Sequence, residues 1–235
     1  MLMYEYYKHK LNPQAQEVYD YLRDNIGKLA AGEELKLPML KGAHSTKAAS
    51  DAYTALRMDR PEYYFLAHYL QLRTTTRGTV SIQQSIKYSK EHIKRMNQIL
   101  RKMINELVSD VKQKPILERE KEIYRRVGKA FNYKDGMYSH DLAGLLVYKD
   151  GVCESIAGML VVAFREAKIP AIVVHGYAQG EAHRWCKVWI DGKEYYVDVT
   201  WDMRNCKYGY GLNYFNKTYK QMSKDHQLVE DFDLQ

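Results

Sequence analysis

At 235 residues, 46% of them hydrophobic and 28% charged, the chain has an ordinary globular composition, enough for one large domain or a core with an accessory lobe. No apolar run nears the roughly 18 residues of a membrane span, so no membrane span is expected. The opening MLMYEYYKHKLN lacks the apolar stretch of a secretory signal, so the chain is expected to be cytoplasmic as it stands, or extracellular if a leader was removed.

Pro13 to Ala31 reads as a first helix, with Val18, Tyr21, Leu22 and Leu29 inward and Gly32 as its stop. Leu35 to Gly42 reads as a connector. Ser45 to Met58 repeats Ala49, Ala52, Tyr53 and Leu56 at helical spacing until Arg60-Pro61. Tyr63 to Arg73 is aromatic, and after a Thr-rich turn Thr79 to Tyr88 is expected to return as its hairpin partner. A long helix then runs from Ser89 to about Lys112, with Ile93, Met96, Leu100, Met103, Ile104, Leu107 and Val111 on one face. Pro115 breaks it, and Ile116 to Phe131 forms the next. The boundary between an accessory region, 1–88, and a core, 89–235, is expected where aromatic strand-like sequence yields to basic helix.

That basic stretch, Lys87 to Lys129, holds 13 Lys and Arg against 6 Asp and Glu and so accounts for the whole net charge of +7. It carries no nucleic-acid-binding motif. It reads as a solvated helix face, and no nucleic-acid partner is expected.

The residues with chemistry fall between Gly151 and Asp202. Gly151 precedes Cys153, and Ile156, Leu160, Phe164 and Ala167 then recur at helical spacing until Ile169-Pro170. Cys153 is thus expected at a helix N-terminus, where free N–H groups and the helix dipole favour a thiolate. After the run Ala171 to Ala178, two strands, His183 to Ile190 and Lys193 to Thr200, flank Asp191-Gly192, the strongest short hairpin signal. A two-residue turn pairs Ile190 with Lys193, and hence His183 with Thr200 and Trp185 with Asp198. His183 and Asp198 become diagonal neighbours on one face, about 7–8 Å apart at the backbone and closer between side chains. A thiol needs a base, and the base an orienting group; Cys153, His183 and Asp198 fill those places.

Cys153, Cys186 and Cys206 form an odd set without CxxC spacing, so neither a disulfide framework nor a zinc ribbon is indicated. Cys186, with Val188 and Ile190, faces the core. Cys206 is expected in an exposed loop after Trp201-Asp202. His183 and Cys186, three apart on a strand, point to opposite faces and make no half metal site. His140, His175 and His226 are assigned structural roles. No metal and no cofactor is expected.

GVC at Gly151 to Cys153, the HxW of His183 to Trp185, and VDVTWD at Val197 to Asp202 resemble the three signature segments of the transglutaminase-like superfamily. Tyr138 to Leu146, Ala55 to Leu66, Tyr214-Phe215 and Met222 to His226 are similar to flanking segments of its bacterial members. Two positions depart: Ser155-Ile156-Ala157 stands where members often carry Gly-Tyr-Ala, and Cys186 where they often carry Asn. The resemblance implies an α+β, papain-like core with a nucleophile-bearing helix packed on an antiparallel sheet, behind a mainly helical N-terminal lobe. It further implies a Cys153-His183-Asp198 triad, an oxyanion donor from upstream with Tyr138 and Tyr148 as candidates, and a protein or peptide substrate. The missing CxxC pair speaks against the family's zinc-bearing peptide N-glycanase branch. Peptidase-type hydrolysis is expected. Transglutaminase crosslinking is the alternative within enzymes, and a non-catalytic binding module on the same fold the alternative beyond them.

Overall fold

The computed structural model describes residues 4–38, 40 and 45–229. Its chain divides into two compact units, one up to Arg95 and one from Met96.

In the first unit Asn12 caps helix α1 (Pro13–Asp24), its side chain accepting from the Ala15 N–H at 2.9 Å, and Pro13 suits the first turn because its own N–H is missing anyway. The single helix expected to Ala31 is two. At Asn25 the backbone leaves the helical region (φ −108°, ψ 21°), and α2 (Ile26–Ala30) starts afresh. Part of the expected connector is a strand, β1 (Leu35–Leu37), in which Leu35 and Leu37 are buried around an exposed Lys36, the period of two that a half-covered strand demands; the remainder, to Gly42, reaches beyond the described residues. Helix α3 (Ser45–Asp59) buries Ala49, Ala52, Tyr53 and Leu56 and packs on α1. Strands β2 (Gln71–Thr74) and β3 (Val80–Gln83) form the expected hairpin in shortened form, and β1 joins them in the order β1-β3-β2.

Helix α4 (Lys90–Val108) starts after Ser89, whose hydroxyl accepts the His92 N–H at 3.2 Å, and stops before the expected Lys112; Asp110, at φ 57°, turns the chain instead. The second unit continues through α5 (Ile116–Ala130), β4 (Asn132–Tyr133), α6 (Leu142–Tyr148), β5 (Asp150–Gly151) and α7 (Cys153–Glu166). Then come β6 (Ala171–Ala178), β7 (Glu181–Ile190), β8 (Lys193–Val197), α8 (Val199–Tyr208), α9 (Tyr219–Met222) and β9 (His226–Leu228). The sheet runs β8-β7-β6-β9, every neighbour antiparallel. Helix α7 lies against β6 and β7 with Ile156, Leu160 and Phe164 fully buried, about 2 kcal/mol of hydrophobic stabilisation each. The architecture is α+β, with helix α7 packed on an antiparallel sheet.

The Asp191-Gly192 turn sets the register as read: both residues take positive φ (50° and 77°), and Ile190 pairs with Lys193 down to Cys186 with Val197. The ladder stops there. Asp198 and Thr200 are not on the strand; Asp198 caps α8, and Thr200 lies in its first turn. The expected loop at Cys206 is therefore helix, and Cys206 is fully buried, close enough to Gly128 that a Cβ there would lie 2.6 Å from its sulfur.

Candidate active site

Three elements bring Cys153, His183 and Asp198 together. Cys153 is the first residue of α7. The turn before it is tied down by Ser155, whose hydroxyl donates to the Ser139 carbonyl at 2.6 Å, so the departure from the family's pattern at 155 serves to hold the helix start. His183 comes from β7, and its Nε2 donates to Asp198 Oδ2 at 2.7 Å. That leaves Nδ1 for the hydrogen bond between His183 and the Cys153 thiol. Trp185 stacks beside the imidazole, ring centroids 5.9 Å apart, and Trp201 lies at 5.8 Å on a tilted plane.

Asp198 is buried to 1% exposure, yet every lone pair is used. Oδ1 accepts from the Thr200 hydroxyl at 2.6 Å, the Thr200 N–H at 2.9 Å and the Trp201 N–H at 3.4 Å, which are the capping bonds of α8. Oδ2 accepts from His183 and also from Nε2 of His226 at 3.1 Å. Tyr124 then donates to the Asp198 carbonyl at 2.7 Å and to Asp202 Oδ2 at 2.9 Å, bracing the cap from α5.

These contacts set the electrostatics. Burial would raise the Asp198 carboxyl, but the bonds from His183, His226 and Thr200 outweigh it and hold it down to about 2. Burial would depress the imidazole of His183, but Asp198 and the Cys153 thiolate raise it to about 9. For Cys153, burial again opposes charge; the bond and charge of His183, with the backbone N–H and guanidinium of Arg184, pull the thiol below its ordinary value. The other two cysteines move the opposite way. Burial drives Cys186 well above its usual value, and burial together with Asp202 raises Cys206 to about 11. Thiolate and imidazolium therefore favour each other at this one cysteine.

Two further side chains belong to the site. Tyr133 on β4 stands opposite Gly151 in a two-residue parallel ladder with β5, and its hydroxyl meets both the thiol and the backbone N–H of Cys153. Sequence reading looked to Tyr138 and Tyr148 for an upstream hydroxyl; the phenol seated at the thiol is that of Tyr133. His226, assigned a structural role from sequence, sits against Asp198, the cap of α8. His183, Asp198 and His226 each offer one atom within 4.8 Å of the others, a spacing that would also suit metal ligands; in this structure they hydrogen-bond to one another through Asp198 Oδ2. Cys186 faces away from His183, its thiol donating to the Ala157 carbonyl at 3.5 Å.

Residues 101–199, which contain all three of these elements' key side chains, match the model of the transglutaminase-like superfamily. That segment is a transglutaminase-like domain. No curated protein matches the chain significantly. Among solved structures the chain is similar to a TGase, at 17% identity over 56% of this chain and 43% of that one, with a TM-score of 0.43. It is similar also to the periplasmic domain of TgpA from Pseudomonas aeruginosa, at 18% identity over 56% and 57% of the two chains, TM-score 0.36. A third likeness is to a candidate cysteine protease from Cytophaga hutchinsonii, at 13% identity over 56% and 61%, TM-score 0.38. The chain thus spans about half the length of these relatives. Among the described residues no helix is long and apolar enough to cross a membrane.

Proposed function

We propose that this transglutaminase-like domain hydrolyses amide bonds of protein or peptide substrates through a thioester on Cys153, with His183 and Asp198 completing the triad. The observation that carries the reading is His183, whose Nε2 is bonded to Asp198 and whose interaction with Cys153 lowers the thiol, with the imidazole raised to about 9. A thiolate–imidazolium pair is the form in which a cysteine attacks.

In the first half-reaction Cys153 Sγ bonds to the amide carbonyl carbon and the carbon–oxygen π pair moves onto oxygen. The Cys153 N–H and the Tyr133 hydroxyl are the donors placed to meet that charge. His183 gives its Nδ1 proton to the departing amine as the carbon–nitrogen bond breaks. Neutral His183 next takes a proton from water, whose oxygen attacks the thioester; the acid leaves, and the proton stays on the ring opposite the restored thiolate.

Water and a lysine amine compete for such a thioester, and the hairpin bears on the choice. Trp185, Lys187, Trp189 and Tyr196 share the face of His183, but Trp185 and Tyr196 are buried. Lys187 lies over the Trp189 and Tyr196 rings at 5.4 and 5.7 Å and pairs with Glu194 at 2.8 Å. The aromatic wall is thus covered by the protein's own side chains, which favours hydrolysis over crosslinking. A depressed thiol speaks against a binding module that has given up turnover. The test is incubation with a glutamine-rich protein and a labelled primary amine, with new N-termini sought in parallel. New N-termini that require Cys153 are expected. Label incorporation without them would overturn hydrolysis in favour of acyl transfer, and neither product would favour the binding module.

A further inference from the structure

His226 adds to the triad from a direction the sequence does not advertise. A capping box at Thr218 and Gln221 starts α9, and the chain then turns through Asp225 into β9, which joins the open edge of β6 with His226 opposite Ala178. The approach is close: a Cβ on Gly176 would lie 1.9 Å from the Gln227 carbonyl oxygen, so β9 docks only against glycine. Once docked, the His226 side chain has no exposure. It is packed by Trp201 at 4.5 Å, Trp185 at 5.0 Å and Tyr214 at 5.5 Å between ring centroids.

Both of its ring nitrogens face carboxylates: Nε2, as the N–H, donates to Asp198 Oδ2 at 3.1 Å, and Nδ1 lies 2.6 Å from Asp225 Oδ1. Asp225 Oδ2 in turn accepts from the Tyr214 hydroxyl at 2.8 Å. The charged and titratable groups facing His226 are thus Asp198 at the start of α8, His183 on β7 at 5.6 Å between centroids, Asp225 from the turn before β9, and Tyr214 from the segment between α8 and α9. One oxygen, Asp198 Oδ2, is shared between two imidazoles.

We infer that His226 is a positioning residue of the site: by donating to the same oxygen that holds His183, it limits how tightly Asp198 grips the catalytic imidazole. The inference rests on the triad assignment above. Oδ1 stays pinned by Thr200 and Trp201, so without His226 the carboxylate keeps its plane while Oδ2 has only His183 to satisfy it. His183 then keeps its proton to higher pH and yields it less readily to the leaving amine.

Two isosteric variants separate this role from mere anchoring of β9. His226→Gln sets an amide N–H where Nε2 stood and keeps the bond to Asp198. His226→Asn sets one where Nδ1 stood and keeps only the bond to Asp225. The readouts are the pH profile of Cys153 alkylation by iodoacetamide, which needs no substrate, and turnover at neutral pH. We expect His226→Gln to stay within about threefold of wild type with an unchanged alkaline limb, and His226→Asn to move that limb up by about one pH unit while turnover falls about tenfold. Equal loss in both variants, or a greater loss in His226→Gln, would assign His226 to anchoring and overturn the inference. Should either variant fail to fold, NMR of the ring N–H groups in the unmutated protein decides: alkylation of Cys153 should shift the His226 Nε2 proton through Asp198, and an unmoved resonance overturns the inference. If Cys153 of the wild-type protein is not the preferred thiol, it is the triad assignment that has failed.

Discussion

The two sides of the His183 ring are built differently. On the Asp198 side everything is buried and doubly held: the carboxylate accepts two helix N–H groups, a hydroxyl and two imidazoles, and its own carbonyl is held by Tyr124. On the Cys153 side the thiol is only half-buried, and its neighbour Tyr133 is 56% exposed, in a stretch where Met137, Tyr138, Val147 and Tyr148 also face solvent. In the proposed mechanism the contrast follows from what each side must do: an orienting group gains from a dry, rigid setting in which electrostatics are strong, whereas a nucleophile has to admit a substrate.

The comparison is broken most severely from the rigid side. Asp198→Asn keeps a side-chain oxygen for the α8 cap but offers His183 no charge, so turnover should fall on the order of 10⁴-fold while the unfolding midpoint moves little. Wild-type turnover in that variant would remove Asp198 from the triad. On the open side, Tyr133→Phe should lower kcat by about 10²-fold with KM unchanged, because an oxyanion donor acts mainly in the transition state. Alkylation of Cys153 forms no oxyanion and should be spared; a parallel loss in both measurements would make Tyr133 a structural prop.

A smaller effect sharpens the contrast among the thiols. With limiting iodoacetamide near pH 6, peptide mapping should find label on Cys153 first, since its thiolate is favoured while burial raises Cys186 and Cys206. The sign for the pair follows from the two shifts. The thiol is lowered and the imidazole raised to about 9, so the ion pair is present at neutral pH and is lost as pH rises through about 9, where His183 gives up its proton. Turnover should decline above that point, and a profile still rising past pH 10 would contradict it. Smallest is Thr218→Ala, which removes one half of the α9 capping box and should cost about 1 kcal/mol in denaturant unfolding, with alkylation at neutral pH little changed.

What was legible in the sequence was what local rules govern. The Asp-Gly turn fixed the β7–β8 register, and helical spacing placed Cys153 at a helix start. The error at Asp198 is instructive: alternation in YYVDVT reads as continuing strand, but an Asp two and three residues before N–H groups that need partners is also a cap, and the cap prevailed. The same misreading left Cys206 in a loop. Tyr133 and His226 escaped because each is placed by a short pairing between segments far apart in the chain, β4 with β5 and β9 with β6, which no local period reveals. For His226 there was one faint signal, the glycine at 176 inside strand β6, which marks a close backbone approach.

Because Asp198 both starts α8 and orients His183, the chain cannot have an activated thiol before that helix has formed. An unfolded or half-synthesised chain carries Cys153 at the ordinary thiol pKa of about 8.5, mostly protonated at neutral pH and slow to react. Folding itself is thus the safety catch on the chemistry: the nascent chain is spared its own reactivity, and a thiol-reactive probe at mildly acidic pH counts natively folded molecules rather than total protein.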